Sequence, residues 1–167
     1  DIYTLFAKGD IDAAWVPEPT ATILVQQLDG KRLFNEEELW PDNRFASVLL
    51  IAREDYVKQN PEIINKWLDA HKQTVDWINS NPEQTKQIFI DFMKKKTGKS
   101  LPEGLVSEAL SNLEITNDPI VSSIHTFAKR ADSLGYLGRH GYSLDGIFFD
   151  INSNSQLQEG LVNHDKT

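Results

Sequence analysis

The chain has 167 residues, with 25 Asp+Glu against 17 Lys+Arg for a formal charge of −8, and no cysteine. Hydrophobic residues make up 40%, enough for a packed core and too many for an intrinsically disordered chain. The acidic balance argues against a nucleic-acid partner, which needs a basic face, and the absence of cysteine excludes disulfides, thiolate metal sites and cysteine nucleophiles.

The opening Asp1-Ile2-Tyr3-Thr4-Leu5-Phe6-Ala7-Lys8 reads as the closing turns of an amphipathic helix, with Gly9 as its left-handed cap. An uncapped start inside a packed element predicts a piece of a longer protein, with any targeting signal lying upstream. Ile11 to Val16 reads as a buried strand with Asp10 and Asp12 at its mouth, stopped by Pro17 and Pro19. A short helix follows from about Thr20 to Leu28, then an Asp29-Gly30 turn and a brief strand at Arg32-Leu33-Phe34. Ala46 to Ala52 is the longest apolar run, interrupted by Ser47. It is far short of the ~20 residues of a membrane-spanning helix and is expected to be a strand covered on both faces.

From residue 60 to about 137 the pattern is helical. Asn60-Pro61, Asn81-Pro82 and Asp118-Pro119 predict helix starts, the polar side chain capping free N–H groups and Pro taking the first helical position. One face carries Ile64, Trp67, Leu68, His71, Val75 and Ile78, and the next helix carries Ile88, Phe89, Phe92 and Met93. Lys94-Lys95-Lys96 closes that helix where the macrodipole favours cations, before Gly98. A third helix is expected over Pro102 to Leu113. A fourth carries Ile120, Ile124, Phe127, Ala128, Ala131 and Leu134 before Gly135, and the tail beyond Gly138 is irregular.

Catalytic patterns are poor. The histidines at 71, 125, 140 and 164 include no i, i+4 pair, and no Gly-x-Ser-x-Gly elbow is present. Thr97-Gly98-Lys99-Ser100 imitates the end of a phosphate-binding loop but follows a helix where a strand is required, and position 93 is Met where the motif needs Gly. Asp150-x-Asn152-x-Asn154 imitates a calcium loop but has Ser155 at its sixth position and Leu161 at its twelfth. The remaining candidate is Ala14 to Thr22, beyond the end of the first expected strand, where open α/β sheets bind ligands. There Trp15 supplies an apolar wall and Glu18 a polar acceptor on a stretch stiffened by two prolines; core filling and solvation are the alternative readings.

Gly9-Asp10-Ile11-Asp12-Ala13-Ala14-Trp15-Val16-Pro17-Glu18-Pro19-Thr20-Ala21-Thr22 resembles the second-lobe sequence of periplasmic substrate-binding proteins of the nitrate/sulfonate/taurine ABC transporters. The likeness runs on through Leu39-Trp40-Pro41, Phe45 to Arg53, Asn60-Pro61-Glu62, Val75 to Glu83, Phe127-Ala128, Leu134 to Leu137 and Ser143 to Asp150. It covers about residues 1–151. The resemblance implies the C-terminal portion of a two-lobe α/β fold of the type II periplasmic-binding-protein kind, mostly helical after residue 60. Residues 1–44 would end the second lobe, 45–151 would form the hinge strand and helices on the first lobe, and 152–167 a polar tail. It further implies a non-enzymatic protein without cofactor, outside the cytoplasm and either free or lipid-anchored. Such a protein holds a small anion such as an alkanesulfonate, taurine or nitrate and delivers it to an ABC permease. Trp15 and Glu18 carry over as ligand-binding positions, and Arg44, just before the hinge strand, is added as an anion donor, its alternative being a solvated surface residue. Exposed apolar surface at Ala46 to Ala52 is expected to drive dimerisation of this fragment. Two other readings stand beside this one: an enzyme resembling the thiamine-pyrimidine precursor synthases, which depend on a cysteine-rich segment, and a stand-alone helical interaction domain.

Overall fold

The structure, a computed structural model, describes residues 1–138 and 141–149. The tail at 152–167 and the Asp150–Asn154 stretch lie outside the described residues. Helices α1 (Ile2–Lys8), α2 (Thr20–Leu28), α3 (Glu54–Gln59), α4 (Pro61–Ser80), α5 (Pro82–Thr97), α6 (Glu103–Ser111) and α7 (Val121–Ser133) follow in order. Single 3-10 turns lie at Glu36–Leu39 and Pro41–Asn43. The chain divides into two units, one of Asp1–Asn35 with His71–Asn117, the other of Glu36–Ala70 with Asp118–Thr167.

In the first unit, Asp1 caps α1. Its carboxylate accepts from the Tyr3 N–H at 3.2 Å and the Thr4 hydroxyl at 2.8 Å, which corrects the expectation of an uncapped start. Gly9 closes α1 at φ 72°. Helix α6 packs against both α2 and α5, and its Leu105, Val106 and Ala109 form the centre of this core with Leu24, Val75 and Ile90. At the end of α2, Gly30 donates to the Leu24 carbonyl at 3.1 Å. A Cβ at Gly30 would sit 2.9 Å from that carbonyl oxygen, so the turn admits no side chain there.

In the second unit, Trp40 stacks on Phe45 at 4.5 Å and on Phe127 at 6.0 Å, with the Arg130 guanidinium 4.5 Å from the Trp40 ring. Arg130 also donates to the Leu39 carbonyl at 2.8 Å. Buried Ser123 donates to the Ile120 carbonyl at 2.8 Å and accepts from the Ala46 N–H at 3.2 Å, tying the start of the apolar run to α7.

Three expectations are corrected. Among the described residues there is no strand: Ile11–Val16, Arg32–Phe34 and Ala46–Ala52 are irregular. A strand exists only when a neighbour exchanges N–H···O=C bonds with it, and no two extended segments of the described residues pair into such a ladder. Val48 and Ile51 accordingly stand 89% and 87% exposed. The Asn-Pro starts also work differently from the expected caps. The Asn60 and Asn81 amides donate backwards, to the carbonyls of Tyr56 at 3.1 Å and Trp77 at 2.7 Å, so each closes the helix before it while Pro opens the next. Asp118 does cap an N–H, that of Ile120, but α7 begins two residues later than Pro119, after Ile120 in the left-handed region at φ 50°.

Candidate functional site

Trp15 and Glu18 belong to the first unit, and Arg44 to the second. Glu18 lies two residues before the start of α2 and is joined to the N-cap residue Pro19 by a cis peptide bond. Its side chain is 6% exposed, a depth at which a carboxylate must be paired and hydrogen-bonded. One oxygen accepts from the Arg32 guanidinium at 2.6 Å and the Asn112 amide at 3.0 Å, and the other from the Thr22 N–H at 3.1 Å. The last bond caps one of the free N–H groups in the first turn of α2, where the helix dipole favours negative charge. Arg32 reaches the carboxylate because the left-handed Asp29 and the tight Gly30 turn the chain back after α2. It donates to Asn35 as well, at 3.2 Å.

The two segments that this network joins each carry an aromatic ring. Trp15, 69% exposed, meets Phe34 edge-on at 5.4 Å with their planes 78° apart. Arg44 donates to the Asp118 carboxylate at 2.6 Å. The Ile120 N–H first, and then Arg44, hold the Asp118 carboxyl below its usual range. Among the described residues no cluster of His, Asp and Glu is placed to hold a metal ion.

Arg32, Phe34 and Asn112 were not singled out by sequence. Arg32 and Phe34 lay in a segment expected to be a strand, and Asn112, 94 residues from Glu18, leaves no signal in the spacing.

Residues 1–90 match the sequence profile of the NMT1-like family, more than half of the 167-residue chain. The chain belongs to the NMT1-like family. A binding protein of Brucella abortus (strain 2308) is 27% identical over 121 residues, covering 72% of this chain and 36% of that protein. A binding protein of Brucella suis biovar 1 matches to the same extent. The 4-amino-5-hydroxymethyl-2-methylpyrimidine phosphate synthases of Saccharomyces cerevisiae are 35% identical over 48 residues, 29% of this chain and 14% of theirs. The match thus takes in little more than a third of the Brucella proteins' own length. No solved structure matches. The family and the binding-protein relatives agree with the coarse form of the resemblance, as do the helices after residue 60, while the strands of an α/β fold are not seen among the described residues; no helix among them is long and apolar enough to cross a membrane.

Proposed function

We propose that this chain is part of the solute-binding component of an ABC importer, which captures a small organic anion or oxyanion and delivers it to a permease. The match of residues 1–90 to the NMT1-like family carries this reading, and the longer alignment to binding proteins than to the yeast synthases favours it over an enzyme. In the reading, the chain supplies part of a two-lobe α/β protein. Trp15 forms an apolar wall of the ligand site and Glu18 orders the loop that carries it; Arg44, whose guanidinium also serves Asp118, is a separate anion-donor candidate. The protein works outside the cytoplasm, free or lipid-anchored, and needs no cofactor. A second copy is the partner that the exposed apolar run invites.

The test is calorimetric titration of the full-length protein with taurine, methanesulfonate and nitrate. At least one should bind, and Trp15→Ala should weaken it about tenfold, the scale of losing one well-packed aromatic contact. If none of the three binds while the protein turns over a pyrimidine precursor, the enzyme reading replaces this one.

A further inference from the structure

The solute-binding reading leaves open what kind of solute the Trp15 loop would face. We propose that Trp15 and Phe34 together form a ring-selecting corner, so that the solute is an organic anion with a flat aromatic body and not a bare inorganic ion. The inference rests on that reading and deepens it.

Three observations carry it. The rings stand 78° apart with centroids 5.4 Å apart, so they meet as a corner and not as a closed stack. A third ring laid on the face of one presents its edge to the other, the two arrangements that aromatic quadrupoles favour. Both rings are open to solvent, Trp15 at 69% and Phe34 at 44%, although Trp15 lies three residues before Glu18 and Phe34 lies between the bonded pair Arg32 and Asn35. Exposed aromatics are ordinary on mobile loops. Here a nearly buried carboxylate joins the Glu18 end of one segment to Arg32 in the other, which limits the entropy that bringing the two rings together costs on binding.

The cation at the corner is already engaged. Arg32 donates to Glu18 and Asn35, and its Nη2 lies 3.4 Å from the Thr22 hydroxyl. Its guanidinium therefore serves the protein's own carboxylate. What the corner offers a solute is ring surface, and nitrate has no apolar area to exploit it. Arg32 and Asn112 are positioning residues in this account, acting through Glu18 on the separation of the two rings.

The experiment compares p-toluenesulfonate, taurine and nitrate on the full-length protein. The first two share a sulfonate headgroup and differ in the body attached to it. The wild type should prefer p-toluenesulfonate over taurine by about tenfold, and Phe34→Leu should cut that preference to about twofold while taurine affinity changes less than twofold. Phe34→Tyr, which keeps the ring, should retain the preference and guards against a folding defect in the leucine variant. Equal affinity for the two sulfonates, or a loss in Phe34→Leu that is the same for both, overturns the corner and leaves the solute-binding reading standing. Failure of all three probes to bind overturns the solute-binding reading and the corner with it.

Discussion

Glu18 shows how a single buried charge organises its neighbourhood. Its oxygens satisfy a guanidinium, an amide and a helix N–H, so removing the carboxylate strands three donors at once. Arg32 is 28% exposed and can regain water, which limits the loss on its side. Glu18→Ala should therefore lower unfolding free energy by about 2–4 kcal/mol, read from urea denaturation, somewhat less than the ~3–5 kcal/mol of breaking a fully buried ion pair. Glu18→Gln keeps an acceptor for the Thr22 N–H and should cost roughly half as much. An alanine variant as stable as wild type would mean that the carboxylate has no structural work and is free for a ligand. Gly30 is the second residue on which this loop turns. A methyl group there meets backbone, which has no rotamer to escape into, so Gly30→Ala should cost about 1–3 kcal/mol. A neutral result in the same denaturation assay would show that the α2 turn relaxes freely.

Among the elements, the helices were legible because their signals are local. Pro61 and Pro82 open α4 and α5, Gly9 and Gly98 close α1 and α5, and Ile64, Leu68, His71, Val75 and Ile78 keep the helical period on the less exposed side of α4. Trp67, read on that same face, is 45% exposed, and on α5 the buried position is Ile90 while Ile88 and Phe92 face outwards. Those choices depend on which neighbour a helix meets, and periodicity does not contain that information. The strands failed for a related reason: apolar β-branched composition marks a wish for burial, while the ladder that makes a strand comes from another segment. The candidate loop followed the same division. Trp15 and Glu18 stood out through two prolines and a position in the chain, whereas Phe34 and Asn112 reach them only through folding.

The junction before α7 offers an element-scale prediction about pH. Asp118 binds the Ile120 N–H at 2.8 Å and Arg44 at 2.6 Å, and its folded carboxyl is held below the usual range in consequence. A carboxyl whose folded value is depressed stabilises the fold fully above its unfolded value, ~3.9, and loses that contribution as pH falls through the folded value. Asp118→Asn should thus lower the thermal midpoint at pH 6, and the gap to wild type should narrow steadily as the pH is taken below 4. A gap that stays constant across that range would assign the effect to packing and not to charge.

At the scale of the whole molecule, the chain combines a net charge of −8 with a run of apolar side chains left in solvent. Charge of that size keeps copies apart through long-range repulsion, but salt screens it within ~8–10 Å, while burial of apolar surface is not screened. Val48, Leu50 and Ile51 are 89%, 59% and 87% exposed, and burying a side chain of this kind is worth about 1.5–3 kcal/mol. The 167-residue chain should therefore self-associate, and more strongly as salt rises, because the opposing repulsion weakens while the apolar term persists. Introducing Val48→Lys with Ile51→Lys places two charges in any interface built on this run and should return the chain to monomer in sedimentation velocity, with helical circular dichroism unchanged. Both side chains project into water in the single chain, so the substitutions remove no intramolecular packing there, and a loss of helix would contradict that placement. A wild-type chain that sediments as monomer at low and high salt alike would sink the prediction and assign the exposed run no role in association.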